Sequence, residues 1–270
     1  MLKKLLRYDF AFLFRYWWIG AFISLLVSLV GGGCIYVLNS KADLPDVVDV
    51  GAGLMLVLSV FCLVAFAILS MIIVFIRYYK NFFSDEGYLT FTLPVKTSTL
   101  LASKLISGVS AILATAFVIG AEVFIMLAAG FGDEFTGILE ELWKLIANEV
   151  GAISILYAVE LLMILVVYSA FSVLFAYVCN TLASVITRKA RVITAIGLYY
   201  GANSVLNFGR QMFLIFGTQS LFSRMDGLSG DEIKAVFALV FLAAFLFIAL
   251  LCGFMYVLQR YMLDKKLNLA

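Results

Sequence analysis

Apolar residues in this chain come in long runs, broken by short clusters rich in charge. A bilayer core of about 30 Å is crossed by about 20 helical residues. Six stretches reach that length: Trp17–Leu38, Gly51–Ile76, Leu105–Gly130, Val150–Val178, Val192–Gly217 and Ile233–Leu258. The pattern predicts an all-α integral membrane protein, one transmembrane domain over residues 1–270 with six transmembrane helices. Ahead of the first span, Leu2, Leu5, Leu6, Phe10, Leu13 and Phe14 recur at helical spacing. Lys3, Lys4, Arg7 and Asp9 mostly fall elsewhere on the wheel, which describes an interfacial helix over residues 1–16. Residues 131–149 read as a second amphipathic segment, with Phe135, Ile138, Leu139, Leu142, Leu145 and Ile146 on one face and Trp143 as an anchor. The first span has a long basic lead and no small-residue cleavage site, so it is expected to stay as a membrane helix.

Composition sharpens this picture. Hydrophobic residues make up 64% and charged residues 13%, against about 45–50% and about 25% in soluble domains. That charge cannot cover a globular surface in water. The net charge of +2 is too small to imply nucleic acid. The chain has no His, which removes His-based metal sites, His general bases and Ser-His-Asp triads. Cys34, Cys62, Cys179 and Cys252 lie in separate apolar stretches and are expected to be packing residues, with no disulfide framework or metal cluster.

The placement of charge orients the chain. Of 19 basic residues, 14 fall on one set of segments: Lys3, Lys4, Arg7, Arg15; Arg77, Lys80, Lys96, Lys104; Arg188, Lys189, Arg191; Arg260, Lys265, Lys266. The opposite loops hold 11 acids, among them Asp43, Asp46, Asp49, Glu140, Glu141, Asp226, Asp231 and Glu232. The Lys/Arg bias predicts cytoplasmic termini and an acidic outer face. Trp17 and Trp18, and Tyr78 and Tyr79, are placed at inner membrane boundaries, where amphipathic aromatics collect.

The inner segment 77–104 is too long for a minimal turn. Ser84 can cap a short helix, with Asp85 and Glu86 favoured in its first turn. Gly87 tolerates a sharp turn. Pro94 forbids a continuous helix, and Thr97 or Ser98 can cap the next span. This predicts a short cytoplasmic helix, a break and a re-entry.

Three charges fall inside spans: Glu122 in span 3, Glu160 in span 4 and Arg210 in span 5. A central charge costs about 2.5–3.5 kcal/mol on insertion scales, so each should face protein or water. Arg210 could pair with Glu122 or Glu160 as an interhelical clamp, or the three could line a substrate path. Span 5 is also the most polar. Asn203, Asn207 and Gln211, each four residues apart, share one face, and Gly197 and Gly201 form a GxxxG pattern. That face is expected to line a dimer centre and translocation path.

Glu86, Gly87, the apolar and Thr run after them, Leu93-Pro94-Val95 and Ser103-Lys104-Leu105 resemble the signature of bacterial ATP-binding-cassette permeases of the ABC-2 type. The amphipathic start, the six spans and the inward termini match that architecture. The resemblance implies a multi-pass permease subunit of an exporter in the bacterial cell membrane. Residues 1–16 would be its elbow helix. Ser84, Asp85, Glu86, Gly87, Tyr88, Leu89, Phe91 and Pro94 would form a coupling helix docked into a cytosolic ATPase subunit. Two permease copies and two ATPases would assemble, with membrane lipid around them. This chain has no GxxxxGK[ST] phosphate loop. It is therefore expected not to be an enzyme itself, with no cofactor of its own and ATP and Mg on the partner. The apolar, Phe-rich spans suit amphipathic or hydrophobic cargo, peptide toxins or antimicrobial peptides first, drugs or lipids next. The alternative is a gradient-driven transporter or channel using Glu122, Glu160 and Arg210.

Overall fold

Pro45 stands directly before a helix, and long proline-free runs follow on either side of it. The computed structural model describes residues 2–40, 45–84, 87, 92, 95–147, 153–187, 190–225 and 230–265. Among them the regular elements are helices: α1 (Leu2–Asn39), α2 (Asp46–Phe83), α3 (Thr97–Phe131), α4 (Asp133–Leu145), α5 (Ile153–Ile186), α6 (Arg191–Met225) and α7 (Gly230–Lys265). All but α4 have 34–38 residues. At about 1.5 Å per residue each is longer than a bilayer core of about 30 Å requires. The surplus turns hold the polar networks described below.

Helices α1, α2, α3, α5 and α7 are long and apolar enough to cross a membrane. Helix α6, the expected fifth span, matches them in length but not in apolarity among its described residues. Tyr199, Tyr200, Asn203, Ser204, Asn207, Arg210 and Gln211 account for the difference. The interfacial helix expected over residues 1–16 and the first span are one unbroken helix. No Gly or Pro occurs between Leu2 and Ile19 to interrupt hydrogen bonding.

The chain divides into two units. One comprises Met1–Arg77 and Ile106–Leu156, the other Tyr78–Leu105 and Tyr157–Ala270. In the first unit, Asp9, Leu13, Trp17, Ala21, Ser24, Ser28 and Gly31 form the buried stripe of α1, recurring every three or four residues. Trp17, Ala21 and Phe66 make its core, with Phe14, Ala114, Val118 and Ile119 against them. Trp17 is not an interfacial anchor: it is 4% exposed, and its indole Nε1–H donates to Thr115 Oγ1 at 2.9 Å. Its neighbour Trp18 is 66% exposed. Farther along, α1 and α3 approach closely at Gly32. A Cβ built on Gly32 would stand 2.6 Å from Ala129 Cβ and 3.0 Å from the Met126 carbonyl oxygen. Large apolar side chains such as Phe22, Phe61 and Phe117 point outward, while Ser24, Ser28, Ser59 and Ser107 are inside. That inversion suits a chain whose solvent is hydrocarbon, where helices associate through small residues.

Candidate functional site

The second unit contains the last turns of α2 and the first turns of α3, which are the two roots of the expected coupling segment. Both roots end in a buried polar network. Tyr78 of α2 is fully buried and lies flat on Tyr177 of α5, with centroids 3.9 Å apart and planes 13° from parallel. Its hydroxyl is 3.1 Å from Thr181 Oγ1. The amide Nε2 of Gln259, on α7, donates to Thr181 Oγ1 at 2.6 Å and to the Tyr78 hydroxyl. Thr181 in turn donates to the Tyr177 carbonyl at 2.9 Å, so its oxygen is left to accept. Gln259 is also fully buried.

The α3 root joins the same cluster. Lys104 is 4% exposed, and its Nζ donates to Asn81 Oδ1 of α2 at 2.9 Å. The Tyr177 hydroxyl donates to the Lys104 carbonyl at 3.0 Å. A buried ammonium is costly unless hydrogen-bonded, so Asn81 fixes Lys104 as firmly as Lys104 fixes Asn81. At the end of α2, Arg191 NH1 lies 3.5 Å from the Phe83 carbonyl, a cation against the negative end of a helix. Thr97 Oγ1 donates to Asp264 Oδ1 of α7 at 2.6 Å. Thr97 therefore ties α3 to α7 through its side chain, where a helix cap was expected.

Within the expected coupling helix, Ser84 and Gly87 are described, while Asp85, Glu86, Tyr88, Leu89, Phe91 and Pro94 lie outside the described residues. Gly87 and Thr92 are helical, and the residues between them and directly after Ser84 lie outside the described residues. The Ser84 hydroxyl donates back to the Lys80 carbonyl at 2.6 Å, on the last turn of α2. Gly87 N–H donates to the Ser84 carbonyl at 2.7 Å. A Cβ there would come within 2.8 Å of the Phe82 carbonyl oxygen, so the close backbone approach requires Gly.

Glu122 belongs to the first unit and is completely buried. Its Oε1 accepts from Ser24 Oγ of α1 at 2.5 Å, and its Oε2 has no hydrogen-bond partner among the described residues. The other charged feature of this unit is Asp9 with Arg77. Both Nε and NH2 of Arg77 reach Asp9 Oδ1 at 3.0 Å, and the guanidinium lies over the Phe12 ring at 4.6 Å. Asp9 is completely buried. The helical wheel set it with Lys3, Lys4 and Arg7, away from the apolar stripe of the expected interfacial helix.

In the second unit, the hydrogen bonds of Arg210 among the described residues go to neutral groups. Its NH1 donates to the Tyr168 hydroxyl at 3.2 Å and its NH2 to Asn207 Oδ1 at 2.6 Å. Glu160 Oε2 is buried without a hydrogen-bond partner among the described residues. Asn203 and Asn207 are half-buried, while Ser204, Arg210 and Gln211 are exposed. Gly197 and Gly201 have open space where a Cβ would stand.

Sequence reasoning missed Tyr78, Thr181, Gln259 and the Lys104–Asn81 bond as a site. One signal was present: polar side chains near helix ends that the bilayer does not need. These features define the class, a helical multi-pass membrane protein with a buried polar network at the roots of the segment between α2 and α3. Neither a protein-family model, nor a curated protein, nor a solved structure matches this chain.

Proposed function

We propose that this chain is the permease subunit of an ATP-driven exporter in the bacterial cell membrane. A separate cytosolic ATPase docks under the segment between Phe83 and Thr97, and the two termini lie on the same cytoplasmic side. The cargo is amphipathic or hydrophobic, amphipathic peptides first and drugs or lipids next. The observation that carries this reading is the anchoring of both ends of one short segment. Asn81 and Lys104 bind each other across its roots, and Tyr78 and Tyr177 stack beneath them. A loop that merely connects two helices needs no such anchoring. A segment that transmits a push does, because slack at its roots would absorb the motion. Here a displacement at Gly87 passes into α5 through Tyr177 and Thr181, and into α7 through Gln259 and Asp264. Rigid-body movement of packed helices is an ordinary outcome of such a push.

A second copy of the chain completes the assembly in this proposal. Exposed Ser204, Arg210 and Gln211 on α6 favour it. An exposed Arg in a membrane helix costs about 2.5–3.5 kcal/mol if lipid surrounds it, and a partner helix or a water-filled path removes that cost.

The test has two stages. The chain is purified from native membranes in mild detergent, and its partners are identified by mass spectrometry. A stoichiometric ATPase carrying a phosphate-binding loop is expected. In liposomes, Lys104→Met and Tyr78→Phe should keep the ATPase bound while ATP-driven flux falls. A chain that purifies alone and supports gradient-driven flux without ATP overturns the proposal. It would favour the second reading, a gradient-driven transporter or channel using Glu122, Glu160 and Arg210, for which the observation is that Glu122 Oε2 and Glu160 Oε2 are buried with no hydrogen-bond partner among the described residues.

A further inference from the structure

Helix α4 has 13 residues and joins α3 through one residue, Gly132. That residue has φ 51° and ψ −122°, a conformation open to Gly and strained for other residues. The joint turns the chain abruptly without spending residues on a loop. Beyond it, the sequence DEFTGILEELWKL separates cleanly by helical angle. Asp133, Glu134, Glu140, Glu141 and Lys144 fall on one side. Ile138, Leu139, Leu142, Trp143, Leu145 and Ile146 fall on the other, and every one of these apolar side chains is exposed. Phe135 alone on that side is buried, packed edge-on against Phe124 of α3 with centroids 5.3 Å apart. Phe124 itself is 53% exposed on the apolar surface of a helix long enough to span the bilayer.

We propose that α4 is a membrane-surface helix whose apolar face, from Ile138 to Ile146, seats in the interfacial layer of a neutral or zwitterionic bilayer. Two observations select lipid as the occupant. First, the face is continuous with the lipid-facing surface of α3 through the Phe124–Phe135 contact. A helix pinned there has hydrocarbon beside it from its first turn. Second, the polar side carries four acids against one base, Lys144, which lies 3.9 Å from Glu140. Interfacial helices held by charge present Lys and Arg to anionic headgroups. This one presents the opposite sign, so it is held by apolar area and Trp143, not by charge. Trp favours this depth, with its ring in the apolar layer and its N–H toward water. The inference does not rest on the exporter reading, since it needs only α3 to span a membrane.

The chain has three Trp residues, so the fluorescence of Trp143 is isolated as the difference between wild type and Trp143→Phe. The full chain is reconstituted in phosphatidylcholine vesicles. Lipid brominated on the acyl chain near the glycerol should quench most of the Trp143 emission, and aqueous iodide should quench little. Leu142→Glu puts a charge into the apolar face and should reverse that preference. Replacing part of the lipid with anionic phosphatidylglycerol should leave the quenching unchanged or lower it. Strong iodide quenching with none from brominated lipid overturns the proposal, because α4 would then project into water. Protection from both quenchers also overturns it, because protein would then cover the face. Quenching that appears only with anionic lipid overturns the neutral seat.

Discussion

Tyr78 and Tyr177 lie face to face, 3.9 Å between ring centroids, and each carries a hydroxyl tied to a different helix. Tyr78 reaches Thr181 and Gln259, whereas Tyr177 reaches the backbone of Lys104. The stack therefore joins the end of α2 to α5 and, through the hydroxyls, to α7 and the start of α3. Gln259 Oε1 is buried with no hydrogen-bond partner among the described residues, and a partly satisfied buried polar cluster has little margin to lose another bond. That makes the pair sensitive to small changes.

Tyr78→Phe keeps the stack and removes one oxygen. Gln259 and Thr181 then lose a partner in a site closed to water, at a cost of about 1–3 kcal/mol. Gln259→Leu should cost a similar amount. The two changes together should cost less than their sum, because each already breaks the bond the other would break. Thermal unfolding of the four proteins in detergent measures this. Strict additivity would mean that Tyr78 and Gln259 do not act as one cluster.

Asp9 and Arg77 form a pair that a charge count alone conceals. Asp9 is completely buried, and two nitrogens of Arg77 converge on one of its oxygens. Removing one member of a buried pair takes that partner from the other, typically at about 3–5 kcal/mol. Arg77→Met is expected to lower stability in that range, and Arg77→Lys to recover part of it. An exposed control, Glu141→Gln, should change little. If Arg77→Met melts with the wild type, the pair has no structural role.

The helices were legible because apolar runs of membrane length leave little else for the chain to do. Where each helix faces was not. Trp17 and Trp18 are neighbours of the same type, yet one donates a buried hydrogen bond and the other is exposed. Only the opposing Thr115 decides between them. The stripe from Asp9 through Trp17, Ala21, Ser24 and Ser28 to Gly31 did carry the answer, as small and polar residues recurring every three or four positions. Read as helix-contact residues, they mark the packed face of α1. Glu122 could be flagged as a membrane carboxylate from its position, but its partner Ser24 could not, because serines are scattered through the spans. Many of those serines satisfy themselves on their own helix. Ser28 bonds the Leu25 carbonyl and Ser59 the Leu56 carbonyl, so they pack as small residues and announce no site. The network at Tyr78, Lys104 and Gln259 joins residues far apart in sequence, and nothing in local periodicity connects them.

Ser24 and Glu122 offer a separate test in the first unit. Ser24→Ala removes the donor to Glu122 Oε1 and leaves the carboxyl with no described partner at 0% exposure. Glu122→Gln keeps the volume and still accepts from Ser24, so it should be milder than Ser24→Ala, which should cost about 1–3 kcal/mol. Glu122→Ala loses both the bond and the packing and should be the worst of the three. Melting temperatures in one detergent rank them. If Glu122→Gln proves the most destabilising, the carboxyl has a partner that the Ser24 bond does not represent.

Neighbouring glycines in α1 give the sharpest contrast. A Cβ at Gly32 would meet Ala129 Cβ at 2.6 Å and the Met126 backbone oxygen at 3.0 Å, whereas at Gly33 it would meet nothing within 4 Å. Neither obstacle at Gly32 can swing away, since one is a methyl fixed on α3 and the other is backbone. The helices must separate to admit the added methyl. Overpacking of this kind costs about 1–3 kcal/mol. Separation would also loosen the rest of the α1–α3 contact, including Gly130 against Ile35. Gly33→Ala has no such obstacle, and replacing Gly with Ala inside a helix gains about 0.5–1 kcal/mol from propensity. The two substitutions, one residue apart and chemically identical, should therefore shift the melting temperature in opposite directions. Equal shifts would mean that α1 and α3 are not in close contact at Gly32, and the small-residue packing of the first unit would have to be redrawn.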